Sequence, residues 1–255
     1  ALAASKLHIK VGHVEAGLRS FDRTMPEETN RIVADHISDY LFAPSKSSKE
    51  YLLAEGLPEE KIFVTGNTVV DAVYQNLEIA TYNGNVLAKY NLTKENYFLT
   101  TIHRAENTDS KHRLKNIFSS FGQIYRDFKL PIIFPAHPRT VKMIKEFNLR
   151  VPEGTKVIQP LGYLDFLQLE SSAKLILTDS GGLQEEACIL KVPCVTLRDN
   201  TERPETIEVG ANVVAGVDGN LPEIVKKMLD MQGEWENPYG EGNASELILK
   251  SIMFS

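Results

Sequence analysis

The sequence predicts an α/β protein built on parallel sheets with crossover helices, and three observations carry that prediction. Short apolar runs rich in β-branched and aromatic residues alternate with segments of helical period. The longest stretch free of charged residues is about ten residues, far short of the ~20 apolar residues of a membrane helix. Polar side chains gather directly after the apolar runs, at the strand ends where an open α/β sheet receives its ligands.

Taken in order, the apolar runs predict strands over 9–14, 40–43, 61–65, 97–102, 132–135, 156–158, 175–178, 194–197 and 212–215. Helices are expected between them. Pro26, the favoured first helical residue, opens a helix over 27–37, and the next two run over 47–55 and 69–80. Over 111–128, Leu114, Ile117, Phe118, Phe121 and Tyr125 recur at three- and four-residue spacing and define one apolar face. Further helices are expected over 140–147, 163–171, 183–190 and 222–231, and a last one over 244–252 follows the turn Asn237-Pro238-Tyr239-Gly240. The segment 82–95 holds Asn83-Gly84-Asn85, lacks strong periodicity and separates two series of strand–helix units. The first series is too short for a complete doubly wound domain, whereas the second holds about six strands.

Composition narrows the function classes. A net charge of −6 argues against a nucleic-acid backbone as partner, which would need a basic face, but leaves room for a small anion at a local positive site. Two cysteines, Cys188 and Cys194, make no disulfide framework, and no Cys/His set completes a metal site, so cytoplasmic residence is the expectation. Both read as buried packing residues. The opening Ala1-Leu2-Ala3-Ala4-Ser5-Lys6 lacks Met and resembles no signal peptide; it reads as a chain entered within a domain.

Six strand endings collect the chemistry. Ser180-Gly181-Gly182 ends a strand and opens a helix, a pattern that attracts phosphate through free amides and the helix dipole. An ordinary serine N-cap is the competing reading. Glu185 and Glu186 in the first turns either complement the dipole or accept hydrogen bonds from ribose hydroxyls. His103-Arg104 supplies a donor and a fixed cation, or a capping pair, and His137 raises the same question. Arg198 and Arg203 suit a bidentate diphosphate clamp or pairing with their acidic neighbours. Glu15 follows an apolar strand between His13 and Arg19, a placement suited to acid/base work. Glu27 and Glu28 either stabilise a helix start or present paired carboxylates for proton removal and return; spacing leaves both open.

The ordered blocks His13-Val14-Glu15-Ala16-Gly17-Leu18-Arg19, Pro26-Glu27-Glu28-Thr29-Asn30-Arg31, Thr65-Gly66-Asn67-Thr68, Asp179-Ser180-Gly181-Gly182-Leu183-Gln184-Glu185-Glu186 and Thr201-Glu202-Arg203-Pro204-Glu205 closely resemble the non-hydrolysing UDP-N-acetylglucosamine 2-epimerases, over essentially the entire chain. The resemblance implies a glycosyltransferase-B-like α/β fold of two Rossmann-like domains with parallel sheets, the N-terminal one incomplete. Residues 1–80 would form the latter half of the N-terminal domain, 81–240 the UDP-binding domain, and 241–255 a terminal helix crossing back. It implies interconversion of UDP-GlcNAc and UDP-ManNAc by anti elimination of UDP to 2-acetamidoglucal and re-addition, with no metal and no cofactor. Glu15, Glu27 and His103 match the family's catalytic residues, while Ser180, Gly181, Gly182, Glu186 and Arg203 match its UDP-binding ones. It further implies a cytoplasmic homodimer serving polysaccharide biosynthesis, with neither nucleic acid nor membrane as partner.

The family's Gly-x-Arg-Pro-Glu phosphate loop and His-Gly-Asp-Thr block have no counterpart in this sequence, so the chain is expected to lack roughly the first hundred residues and its own turnover is in question. Two other readings stand beside the epimerase: a glycosyltransferase of the same fold, and a UDP-binding module without turnover.

Overall fold

The larger of two sheets has the strand order of a doubly wound α/β sheet. In the computed structural model, which describes residues 1–23, 25–83, 86–230 and 234–253, β1 (Gly12–Val14), β2 (Tyr40–Ala43) and β3 (Ile62–Val64) form one sheet in the order β1-β2-β3. Strands β4 (Phe98–Thr101), β5 (Ile132–Pro135), β6 (Thr155–Ile158), β7 (Leu175–Thr178), β8 (Cys194–Thr196) and β9 (Asn212–Val214) form the other, ordered β6-β5-β4-β7-β8-β9. Every pairing in both sheets is parallel. Counted from its own first strand the larger sheet runs 3-2-1-4-5-6, the doubly wound order, and its switch point falls between β4 and β7.

Helices fill the crossovers. They are α1 (Leu2–Lys6), α2 (Pro26–His36), α3 (Lys46–Ala54), α4 (Thr68–Asn83), α5 (Val86–Tyr90), α6 (Ala105–Thr108), α7 (Lys111–Phe128), α8 (Pro138–Glu146), α9 (Tyr163–Ser171), α10 (Gly181–Ile189), α11 (Pro204–Glu208), α12 (Leu221–Leu229) and α13 (Ala244–Met253). The chain divides into two compact units, Ala1–Gln75 with Asn237–Ser255, and Asn76–Glu236. The division falls inside α4, ahead of 82–95, and Gly84 and Asn85 of the expected turn lie outside the described residues.

The core of the larger unit packs α7 and α12 on one side of the sheet: Leu114, Ile117, Phe118 and Phe121 meet Phe98, Phe134, Leu177 and Val225. Tyr125, expected on the buried face of α7, is only half-buried; Ile124 takes that place, and the Tyr125 ring instead covers Gly154, where an added Cβ would lie 2.1 Å from it. The other side of the sheet packs Tyr97, Leu99, Ile176, Leu183 and Cys194 together. Cys188 and Cys194 are both buried, and burial pushes the Cys188 thiol up to about 12.

Most differences from the expected elements lie at their ends. Residues 9–11 are not strand: Ile9 donates to the Ala4 carbonyl and Val11 N–H is taken by the Asp39 carboxylate at 2.8 Å. Helix α8 starts at Pro138, two residues before the expected start, because His137 caps it and Pro138 occupies its first position. Helices α1, α5, α6 and α11 have only four or five residues, too few to display a 3.6-residue period. Met231, the last residue of the expected helix over 222–231, lies outside the described residues.

Candidate functional site

Two strand ends flank the switch point of the larger unit, and each carries a predicted ligand group. His103 follows β4 and Ser180 follows β7. Between them lies Asp179, a fully buried carboxylate. Its oxygens accept from the backbone N–H groups of His103 at 3.1 Å and Arg104 at 3.0 Å, and from Asn107 Nδ2 at 3.0 Å. His103 Nδ1 lies 3.1 Å from Asp179 Oδ1. That contact occupies the Nδ1 side and leaves Nε2 of the half-exposed ring, a donor when it carries a proton, available to a ligand. One buried side chain therefore ties the His103 loop to the end of β7.

Ser180 is the N-cap residue of α10, but its hydroxyl makes no capping bond, so the plain N-cap reading is not what the structure shows. The first amides of α10 have no intrahelical partner. Gly181 is held tightly, since a Cβ there would lie 2.7 Å from Glu202 Oε1, whereas a Cβ on Gly182 would meet nothing within 4 Å. No protein atom demands a glycine at 182; the open space beside it is the approach to those amides.

Glu186, one turn further along α10, is half-buried and accepts from the Tyr163 hydroxyl at 3.2 Å. Glu170 stands behind it in α9, fully buried; burial, together with the Glu186 charge, holds its carboxyl well above the ordinary carboxylate range and favours its neutral form. Thr101, His103, Tyr163, Ser180, Gly182 and Glu186 line one cleft of about 260 Å³. A second, of about 340 Å³, also touches Thr101, His103 and Phe166 and adds the apolar faces of Pro135, Pro160 and Leu161. His137 lines this second cleft, yet its Nδ1 accepts from the Arg139 N–H at 3.2 Å, so it serves as the cap of α8.

The two arginines resolve differently from a free clamp. Arg198 is buried and pairs with Glu202 at 2.7 Å and Glu106 at 3.1 Å, which is the pairing with acidic neighbours rather than a diphosphate clamp. Arg203 Nε lies 2.9 Å from Glu185, and its Nη1 donates to the Glu202 carbonyl at 3.2 Å. Glu185 is thus buried and committed to Arg203, while Glu186 faces the cleft.

The smaller unit holds the other predicted carboxylates. Glu15 follows β1, is half-buried, and adopts a left-handed backbone with φ of 65°, rare for a residue with a side chain. Glu27 is exposed in the first turn of α2. Neither carboxylate has a partner among the described residues. Glu28, the other half of the presumed pair, is buried and spent: its oxygens accept from Ser20 N–H and Oγ at 3.0 Å, Phe21 N–H at 2.9 Å and Arg31 at 3.2 Å.

Burial alone would push the Glu28 carboxyl up, but those donors more than offset it and leave it below its ordinary value. A lowered carboxylate pKa contributes stability that is present above the unfolded value, about 4.3, and lost as pH falls through the folded value. Glu28→Gln is therefore expected to flatten the acid limb of a urea-unfolding profile below about pH 4.5. An acid limb identical to the wild type's would contradict this assignment.

Sequence reasoning passed over Asp179, Tyr163, Phe166 and Glu170. Asp179 had a signal, as an acidic residue directly after the apolar run Leu175–Thr178. The others lie on a helix that reads as ordinary core packing.

Comparison with known proteins places the chain in a family. Residues 1–253 match the family described as UDP-N-acetylglucosamine 2-epimerase. The chain is 57% identical over 261 residues to the UDP-N-acetylglucosamine 2-epimerase of Methanocaldococcus jannaschii, covering 100% of this chain and 71% of that protein. The crystal structure of the M. jannaschii UDP-GlcNAc 2-epimerase in complex with UDP-GlcNAc and UDP superposes with a TM-score of 0.88, covering 100% of this chain and 72% of that one. The Neisseria meningitidis enzyme bound to UDP-GlcNAc does so with a TM-score of 0.89 at 35% identity, covering 100% and 72%. These shares do not locate the unmatched part of the relatives, so the expected absence of roughly the first hundred residues overstates what they support. The glycosyltransferase-B-like likeness and the two parallel sheets do agree with the expected fold class. The family match over residues 1–253, the 57% identity and the shared fold lead to one conclusion: this chain belongs to the UDP-N-acetylglucosamine 2-epimerase family.

Proposed function

We propose that the protein interconverts UDP-GlcNAc and UDP-ManNAc without net hydrolysis. The observation that carries this reading is the placement of His103 and the Ser180-Gly181-Gly182 turn at the two strand ends flanking the switch point, joined by Asp179. A diphosphate fits there: amides of α10 and the His103 ring are donors, and Gly182 leaves room for close approach. Glu186 takes the ribose hydroxyls, and the apolar faces of Phe166, Leu161 and Pro135 suit a base. Arg203, paired with Glu185, is assigned to UDP by the likeness of its block to the family's. Crystal structures of relatives holding UDP-GlcNAc and UDP support this ligand class.

The chemistry follows from what the sugar demands. The C2 proton is a poor acid, so the C1–O bond to UDP must break as the proton leaves. The bond's electron pair departs with UDP, the C2–H pair becomes the C1–C2 double bond, and the product is 2-acetamidoglucal. Donors at His103 and the Ser180 turn stabilise the charge developing on the leaving diphosphate. Glu15 and Glu27 act as base and acid at C2. Reprotonation on the opposite face and return of UDP to C1 complete the epimer. The reading assigns UDP binding to residues 81–240 and the carboxylate chemistry to 1–80, with 241–255 completing that part. It also carries the family's cytoplasmic homodimer and its place in polysaccharide synthesis.

Proton NMR of a mixture with UDP-GlcNAc tests the activity. The expected result is a UDP-ManNAc anomeric signal with no free sugar. Transfer of the sugar to an added acceptor with no epimer would favour the glycosyltransferase, and UDP binding without turnover would leave only a binding module.

A further inference from the structure

We propose that Asp35 is the positioning residue for Glu15, and that α2 grips the segment 13–21 so that one helix presents Glu27 and fixes the backbone of Glu15. The proposal rests on the reading of Glu15 as a catalytic carboxylate. Glu15 has φ of 65°, a conformation that persists in a residue with a side chain only where its surroundings over-determine it. The over-determination comes from Asp35, fully buried in the last turn of α2.

The two oxygens of Asp35 hold both flanks of Glu15. Oδ1 lies 2.6 Å from His13 Nδ1, two residues before it. Oδ2 accepts from the Gly17 N–H at 3.2 Å, two residues after it, and from Arg19 Nη1 at 2.7 Å. Arg19 is itself buried and locked: Nε and Nη2 donate to Glu55 at 2.6 and 2.7 Å, and Nη1 to the Leu18 carbonyl at 2.8 Å. The buried Asp35 charge is therefore matched, as a buried carboxylate must be. Within the same turn Ala16 N–H continues to the Phe42 carbonyl at 3.1 Å, and a Cβ on Gly17 would lie 2.3 Å from the Ser48 carbonyl. Glu15 has neighbours fixed on both sides, and its own carboxylate is left unengaged among the described residues.

The same helix grips the far end of the segment. Glu28 takes the N–H groups of Ser20 and Phe21, and Phe21 is the second non-glycine left-handed residue of this stretch, with φ of 58°. Helix α2 thus carries an exposed carboxylate, Glu27, and two buried ones that make no contact with solvent chemistry but set the path of the chain bearing Glu15. A purely structural role for Asp35 predicts lower stability and ordinary turnover of the molecules that remain folded. A positioning role predicts a selective loss of kcat, because a displacement of about 1 Å at a reacting group costs about 100-fold.

The test is Asp35→Asn, which keeps the shape and one acceptor oxygen but loses the charge that engages His13 and Arg19. In the folded variant, kcat for UDP-GlcNAc epimerisation is expected to fall about 100-fold with KM and calorimetric UDP affinity within about twofold of wild type, while the Asp35→Glu variant recovers part of the loss. A crystal structure of Asp35→Asn is expected to show Glu15 outside the left-handed region. Wild-type kcat in a folded Asp35→Asn, or an unmoved Glu15 backbone, overturns the proposal. Should Asp35→Asn fail to fold, His13→Phe removes the bond to one flank alone and must show the same selective loss of kcat; full activity there overturns the proposal too. If the wild-type protein makes no UDP-ManNAc, it is the functional reading that fails, and the Glu15 backbone in the variant still decides the role of Asp35.

Discussion

Glu15→Gln is expected to lower kcat for UDP-GlcNAc epimerisation by about 10²- to 10⁴-fold, the usual contribution of a positioned general acid or base. The substitution keeps size and shape and removes only the ability to take a proton. Because the Glu15 carboxylate has no partner among the described residues, no bond in the fold depends on it, and stability is expected to stay within about 0.5 kcal/mol of wild type. UDP binding, which rests on β4, β7 and α10, is expected to be unchanged. Steady-state kinetics with calorimetry for UDP checks both halves. A kcat within twofold of wild type would remove Glu15 from the reaction, and a parallel loss of UDP affinity would make it a binding residue.

Asp179→Ala carries the second large effect, and this one falls on affinity and stability together. The carboxylate satisfies the His103 and Arg104 amides and Asn107 Nδ2 in a fully buried position. Its removal strands these donors at a cost of about 1–3 kcal/mol each where no water replaces the oxygen, so a total loss of about 3 kcal/mol or more is expected in urea unfolding. The loop it anchors also carries His103, and UDP affinity is expected to weaken about tenfold or more, equivalent to about 1.4 kcal/mol. Asp179→Asn keeps one acceptor and should fall between. Unchanged UDP affinity in a folded Asp179→Ala would show that the anchor and the nucleotide site are independent.

The contrast between these residues explains how far the sequence could be read. Strand positions were legible because parallel strands buried on both faces stand out as continuous apolar runs, as with Ile132–Pro135 and Leu175–Thr178. The strand endings could therefore be located, and His103 and Ser180 with them. Which endings adjoin was not legible, because strand order depends on crossovers that leave no local mark; β4 and β7 are neighbours although about seventy-five residues separate them. The division of labour within acidic pairs was hidden for a related reason. Glu27 and Glu28 are equivalent in sequence, yet helical rotation turns Glu28 inward to Ser20 and Phe21 and Glu27 outward. Glu185 and Glu186 separate in the same way, one toward Arg203 and the other toward the cleft.

In the mechanism we propose, Glu15 and Glu27 remove and return the C2 proton while His103 and the Ser180 turn hold the departing UDP. The most direct measurement is proton NMR of UDP-GlcNAc turned over in deuterium oxide. Elimination and re-addition predicts that deuterium appears at C2 of the UDP-ManNAc formed, and at C2 of recovered UDP-GlcNAc, with no free sugar. UDP-ManNAc that retains its original C2 proton would contradict the account.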